Sequence, residues 1–329
     1  MSLKIGKVPE TVLKRSIIKQ IKYKRDEILV GAGVGEDCAA VQLTEDEVLV
    51  LSTDPITGTT QDIGALSVHV TANDIASSGA EVIGVMLSVL LPEGTEESEL
   101  SEMMREVEET CEELRIQTIG GHTEVTRVVN QPVITVTGIG KVKKDRLITT
   151  AGAKPGDDII VTKWIALEGT SILAKEKEEE LGGRFSEEFI KEAKGFSSLL
   201  SVVKDARIAC GYQVHSMHDV TEGGIFGALW EVAEASHVGL SVDLREIPVR
   251  QESIEICEFF GINPYELISS GSMLITAENG YDIVRALAEE GISAGVIGKI
   301  TKGNDRILRN GDEIRYLEPP KTDELYKVL

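Results

Sequence analysis

Apolar and polar positions along the chain recur with two periods, and the switches between them predict its elements. Val12, Leu13, Ile17, Ile18 and Ile21 fall at helical spacing near the N-terminus. A glycine loop, Gly31-Ala-Gly-Val-Gly35, precedes two strand-like runs, Ala39–Leu43 and Val48–Ser52, split by the turn segment Thr44–Glu47. Ile63, Leu66 and Val70 predict a helix within Asp62–Ser78, and the apolar run Glu81–Leu91 predicts a buried strand. Leu100, Met103, Met104, Val107, Cys111 and Leu114 share one face of a helix over Glu96–Leu114, with acids opposite. Strands follow at Gln117–Ile119 and Val133–Ile139. This alternation implies an α/β layer, with helices packed on a mixed sheet.

A basic and then turn-rich stretch, residues 141–157, predicts a domain boundary, with Lys154-Pro-Gly-Asp157 as a tight turn. Beyond it the pattern gives strands at Asp158–Thr162, Gly239–Asp243, Met273–Thr276 and Ala294–Ile300. Helices are expected near 187–210, 224–236 and 251–260, and Lys175–Arg184 reads as a solvated helix end or loop. Asn310-Gly311, between Arg306–Arg309 and Glu313–Tyr316, is a hairpin signal because both turn residues accept positive φ. A length of 329 residues exceeds what one core usually fills, so two domains are expected.

Charge narrows the partners. A formal net charge of −21 repels nucleic acid and anionic membrane surfaces at long range, so neither is expected to bind. No apolar run approaches the ~20 residues of a membrane helix, and the opening MSLKIGKVPE has no long apolar stretch typical of a secretory leader. Cys38, Cys111, Cys210 and Cys257 are far apart and form no C-x-x-C pair; they read as buried small apolar side chains in a reduced, cytoplasmic compartment.

Several familiar motifs are absent. Gly31-x-Gly33-x-Gly35 is followed by Glu36, which breaks the dinucleotide pattern, and there is no Walker-type phosphate loop, no G-x-S-x-G elbow and no H-E-x-x-H. His215-x-x-His218 has a spacing that a metal could use, although such a pair is more often structural. What recurs is an apolar strand running out into a polar segment that carries an acid beside glycine or threonine. The cases are Gly35-Glu-Asp37, Thr53-Asp54-Pro55, Gly120-Gly-His-Thr-Glu124 and His218-Asp219-Val-Thr-Glu-Gly-Gly224. Magnesium takes one or two carboxylates directly and completes its octahedron with water and phosphate oxygens, so acids at strand ends suit it. Adjacent glycines let backbone amides approach phosphate. Each motif alone is equally an ordinary turn or cap; the case rests on the set. Asn73-Asp74 stands inside an otherwise apolar helical run, either as a solvated turn or as a carboxylate aimed into a site. Gly223-Gly224 precedes the apolar run Ile225, Phe226, Leu229 and Val232, where helix-start amides could hold phosphate or simply give loop flexibility.

These residues, in this order, resemble the superfamily of aminoimidazole ribonucleotide synthetase, selenophosphate synthetase, thiamine-monophosphate kinase and the hydrogenase maturation factor HypE, and most of all the last. The matching segments are Gly35-Glu-Asp37-Cys-Ala-Ala-Val41, Thr53-Asp54, Asn73-Asp74-Ile-Ala and Thr137-Gly138-Ile-Gly140 in the first half. In the second half they are Ala153-Lys-Pro-Gly-Asp157, His215–Gly224 and Ile247-Pro-Val-Arg250. The resemblance implies three parts: an N-terminal helix and glycine-rich segment over residues 1–36, an ATP-binding, dimer-forming domain over 37–150, and a C-terminal α/β domain over 151–329. The N-terminal domain would be α+β, its mixed sheet forming a β-barrel shared between the subunits of a homodimer, with ATP in a cleft between the domains.

By the same match, Asp37, Asp54 and Asp74 would hold magnesium and phosphate, with Asn73 beside them. Gly121, His122, Thr123, Gly223 and Gly224 would line the nucleotide, and Asp219 and Glu231 would be catalytic. The family's Gly-Asp-Thr-Lys segment is Gly121-His122-Thr123-Glu124 here; a lysine is lost and Glu124 becomes a candidate magnesium ligand. The maturation factor carries its reactive sulfur on a terminal cysteine, whereas the last cysteine here is Cys257, so that self-modification is not expected of this sequence. The implied activity is phosphoryl activation of an oxygen on a small-molecule or protein-tail acceptor, in hydrogenase or metallocofactor maturation, using ATP and Mg2+. The alternatives are a non-catalytic nucleotide sensor or scaffold, and a kinase related to thiamine-monophosphate kinase.

Overall fold

The computed structural model describes residues 10–21, 25–57, 59–319 and 321–329. The chain divides into two compact units: Glu27–Gly31 with Cys38–Leu147, and Met1–Asp26, Ala32–Asp37 with Ile148–Leu329. The first helix, α1 (Glu10–Ser16), belongs to the second of these, where Lys14 pairs with Glu234 at 2.7 Å.

The smaller unit contains β1 (Ile28–Val30), β2 (Ala39–Gln42), β3 (Glu47–Ile56), α2 (Ile63–Ser77), β4 (Glu81–Pro92), α3 (Glu97–Leu114), β5 (Gln117–Thr126) and β6 (Val133–Lys143). Its strands form one mixed sheet in the order β1-β2-β3-β6-β4-β5; β4 and β5 run parallel and the other neighbours antiparallel. Val48, Val50, Val85, Val89, Ile134 and Val136 point from the sheet into a core that α2 closes with Val68, Ala72 and Ile75. Gly138 and Gly140 on β6 make this packing possible. An added Cβ would lie 2.5 Å from Thr71 at Gly138 and 2.3 Å from Ile75 at Gly140, so only glycine lets the helix lie this close.

Two segments expected as acid-bearing loops are strand interior. β3 continues through Thr53-Asp54-Pro55 and pairs residue by residue with β6 as far as Ile56. β5 continues through Gly120–Glu124 to Thr126 beside β4. In both cases a long ladder with a neighbouring strand overrides the turn preference of Asp, Pro and Gly. At Gly121 a Cβ would fall 2.1 Å from the Leu87 carbonyl oxygen, so glycine here serves close strand approach rather than a turn.

The larger unit contains β7 (Asp158–Thr162), α4 (Leu167–Glu176), α5 (Glu178–Gly182), α6 (Glu187–Lys194), α7 (Val203–Ala209), β8 (Val214–Asp219), α8 (Gly224–Ser236), β9 (Gly239–Asp243), α9 (Gln251–Phe260), β10 (Met273–Ala277), α10 (Gly280–Glu289), β11 (Ala294–Thr301), β12 (Arg306–Asn310) and β13 (Glu313–Tyr316). The sheet order is β13-β12-β9-β11-β7-β10-β8, which leaves β8 at an edge beside β10. α8 packs Ile225, Leu229 and Val232 into a core with Ile159, Val161, Leu240 and Leu274. A second cluster joins Leu173, Leu181, Ile190, Ile256 and Leu267. The stretch Lys175–Arg184 is mostly exposed, as expected, and only Leu181 within it turns into that core.

A hairpin forms here, but its turn lies one residue later than expected: Asn310 is the last residue of β12, opposite Glu313, and Gly311-Asp312 make the turn, with Gly311 at φ +62°. α4 and α10 escaped the sequence pattern. α4 is buried on nearly every side and shows no polar face from which a helical period can be read. Among the described residues, no helix is long and apolar enough to cross a membrane.

Candidate functional site

The smaller unit gathers two of the expected acids around one hydroxyl. Ser52 and Asp54 are two apart on β3 and so share a face of the sheet. The Ser52 Oγ lies 3.2 Å from Asp54 Oδ2 and also hydrogen-bonds Asp74 Oδ2. Asp74 is the sole charged residue of α2 and is 6% exposed, and its neighbour Asn73 is fully buried. The Cys38 thiol and the Ser77 hydroxyl both donate to the Asp74 carbonyl, at 3.0 and 2.7 Å, which pins this turn of the helix. A serine hydroxyl carries one proton, so it cannot serve both carboxylates at once. Two acids around one hydroxyl, with Asn73 next in sequence, form an oxygen-rich set of the kind a hard divalent cation takes.

The other residues of the expected cofactor set in this unit lie apart from that pair in the sequence and on the surface. His122 and Glu124 are exposed neighbours on one face of β5, with Nε2 and Oε2 3.2 Å apart, and Gly121 and Thr123 alternate with them.

The larger unit gathers Asp37, His218, Asp219 and Glu231. His218 and Asp219 end β8 and are 2% and 1% exposed; Glu231 projects from α8 and is 4% exposed. His218 Nδ1 lies 2.7 Å from Asp37 Oδ2, and its Nε2 lies 2.9 Å from Glu231 Oε2. Burial opposes a charge on this ring, but the Asp37 and Glu231 carboxylates outweigh it and hold the imidazole pKa well above its usual value. Asp37, His218 and Asp219 each bring a ligand-capable atom within 4.8 Å of the others, so they could hold a metal ion. Beside them, burial and then the charge of Asp37 push the Glu36 carboxyl up to about 7.

His215 takes no part in this cluster. Three positions from His218 on the same strand, it faces Asp157, with Nδ1 2.9 Å from Oδ1. An odd offset along a strand sends two side chains to opposite faces, so the pair that looked suited to a metal is split.

At the start of α8, both candidate phosphate-binding amides have intrachain acceptors. Gly224 N–H donates to the Thr221 carbonyl at 3.0 Å, and Gly223 N–H donates to Asp323 Oδ2 at 2.7 Å. Asp323 also accepts from Ile268 N–H at 3.2 Å and Leu325 N–H at 2.9 Å. Burial pushes its carboxyl up to about 6 against those three amides. Glu168, 3% exposed, accepts from Ser270 N–H at 3.2 Å, and burial raises it to about 7.

The sequence reading passed over His218 as a site residue, and it missed Ser52, Glu36, Glu168 and Asp323. Ser52 was detectable, since two residues apart in a strand means one face; Asp323 had no local signal. Of the cysteines, Cys111 and Cys257 are buried as expected, whereas Cys38 and Cys210 are only half-buried.

Comparison with known proteins places this geometry in context. The N-terminal domain of the AIR synthase related protein family matches residues 35–142, and the C-terminal domain of that family matches residues 154–309. A putative hydrogenase expression/formation protein of Methanocaldococcus jannaschii is 29% identical over 315 residues, covering 92% of this chain and 90% of that protein. Carbamoyl dehydratase HypE of Cupriavidus necator is 31% identical over 247 residues, covering 73% of this chain and 68% of that protein. The crystal structure of hydrogenase maturation protein HypE in complex with ATP has the same fold, with a TM-score of 0.74 at 21% identity and 96% of each chain covered.

Proposed function

The chain belongs to the AIR synthase related family, and on that basis we propose that it is an ATP- and magnesium-dependent enzyme that activates an acceptor oxygen by phosphoryl transfer, in hydrogenase or metallocofactor maturation. The relatives named as hydrogenase maturation proteins support this setting, and the HypE structure with ATP supports the nucleotide. The observation that carries the reading is the pair Asp54 and Asp74 on one Ser52 hydroxyl, beside a buried Asn73. Bound there, magnesium would neutralise phosphate charge as it develops; phosphoryl transfer needs little else from a protein besides positioning.

The chain's own residues have separate tasks in this scheme. In the smaller unit, Asp54, Asp74 and Asn73 supply oxygen donors to the cation. Glu231, buried and hydrogen-bonded, is the candidate to accept a proton from the acceptor, with Asp219 beside His218 on the same strand. The acceptor is an oxygen of a small molecule or of a protein tail. The subunit is proposed to form a homodimer through the smaller unit's sheet, where Ile83, Met86 and Ile119 are 40%, 44% and 50% exposed.

Isothermal titration with Mg-ATP tests the nucleotide, and single-turnover formation of ADP tests the chemistry. Wild type should bind, and Asp74→Asn should weaken binding about tenfold or more. Wild-type protein that gives neither heat nor ADP would end the proposal.

A further inference from the structure

Within the larger unit, the start of α8 and the end of β13 line a cavity of about 270 Å³. Gly223 and Gly227 face it from the helix. Four positions apart, they share one side of α8, so this part of the floor carries no side chain. Phe226 forms a wall beside them, and its ring stacks on Tyr265 with centroids 5.2 Å apart and planes 10° from parallel. The Phe226 N–H also donates to the Tyr265 carbonyl at 3.1 Å, so ring and main chain are held together. Tyr316, 67% exposed on the edge strand β13, supplies a second aromatic side chain to the lining.

The charges around the cavity select its ligand. An anion would seek the Gly223 N–H, but Asp323 Oδ2 already holds it at 2.7 Å. The cations of the lining have acids of their own. Arg315 pairs with Glu313 at 3.1 Å and Lys321 with Glu318 at 2.7 Å, and all four side chains are mostly exposed, so they attract little. The remaining acid is Glu266, only half-exposed. Burial and then the charge of Glu324 raise its carboxyl, a cost that a cationic N–H donor would relieve. Aromatic walls favour a flat ring, and a cation gains further from their faces.

We propose that this cavity binds a small, flat aromatic molecule bearing an amidine- or amine-like cation, with its ring against Phe226 and Tyr316 and its N–H groups on Glu266. Such binding goes beyond the function proposed above and needs neither ATP nor magnesium.

Benzamidine, benzamide and benzoate share one ring and are cationic, neutral and anionic in turn. Titrated into wild type without nucleotide and followed by ligand-observed NMR, benzamidine should saturate with a Kd of about 1 mM or tighter. Benzamide should bind about fivefold more weakly, and benzoate should not saturate below about 10 mM. Glu266→Gln should bring benzamidine down to the level of benzamide and move benzamide by less than about twofold. Gly227→Met places a side chain in the cavity and should abolish saturable binding. It leaves the net charge of −21 unchanged, so a cation drawn only by surface charge would bind it as before. Tyr316→Ala, at an exposed edge position, should weaken benzamidine about threefold.

Circular dichroism and melting establish which variants fold; if Gly227→Met does not, Tyr316→Ala decides the location alone. Wild type that never saturates with benzamidine would overturn the proposal. So would benzoate binding as tightly as benzamidine, folded Gly227→Met or Tyr316→Ala with wild-type affinity, or Glu266→Gln that still prefers the cation. None of these results touches the nucleotide reading, which stands or falls on Mg-ATP binding and ADP formation.

Discussion

The Ser52 hydroxyl hydrogen-bonds the buried carboxylate of Asp74 while also lying 3.2 Å from Asp54, so a single proton stands between two acids. Ser52→Ala removes it. A hydrogen bond to a charged group contributes about 1.5–3 kcal/mol, and without it the Ser52 hydroxyl no longer stands between the two carboxylates. The variant should lose stability of that order in chelator and recover most of it in magnesium, giving a larger magnesium-induced shift in urea midpoint than wild type. Equal shifts in the two proteins would mean that the pair does not hold the ion.

The seat of α2 makes a second prediction, concerned with folding rather than chemistry. Gly140 leaves no room for a Cβ, which would fall 2.3 Å from the Ile75 Cγ2. Gly140→Ala should destabilise by about 1–3 kcal/mol through overpacking. Because α2 carries Asn73 and Asp74, magnesium response should weaken along with stability. Urea unfolding with and without the ion measures both; an alanine variant as stable as wild type would show that the helix sits more loosely than described.

Much of this architecture could be read from the residues. Strand Gly239–Asp243 and helix Gln251–Phe260 matched their apolar periods, and Asp74 stood out as one charge in an apolar helix. What escaped was set by distant pairing. Asp54 and Glu124 sit in residues that prefer turns, and only the β6 and β4 ladders make them strand. His218 was obscured by its partner His215, because helical or loop spacing would bring the rings together and a strand separates them. Asp323 is a hundred residues from the amide it accepts, a contact that no local pattern encodes.

Asp323 also bears on the turn at Gly223. A phosphate placed at this helix start must displace the carboxylate already there, since the Gly223 amide is committed at 2.7 Å. Asp323→Ala frees the amides of Gly223, Ile268 and Leu325 and should cost about 1–3 kcal/mol. Inorganic phosphate should then raise the melting temperature of the variant and leave wild type unchanged. A wild-type protein that responds to phosphate as strongly as the variant would show that the carboxylate does not guard the turn.

Glu168 gives the stability a pH dependence whose sign follows from its burial. Its carboxyl is raised from 4.5 to about 7, first by desolvation, with Asp323 and Glu222 adding like charge. Between those values the folded chain holds a proton that the unfolded chain has released. Stability therefore falls as pH rises through this window, and the penalty is complete above about pH 7. At roughly 1.4 kcal/mol per pKa unit the effect reaches at most about 3 kcal/mol. Asp323, raised to about 6, adds a loss of the same sign at lower pH. Glu168→Gln keeps an oxygen for the Ser270 amide and carries no titrating proton. In urea unfolding at pH 5.5 and pH 8, wild type should lose more stability than the Gln variant on going to pH 8, the difference being on the order of 1–3 kcal/mol. Parallel profiles for the two proteins would show that Glu168 is not held neutral in the fold.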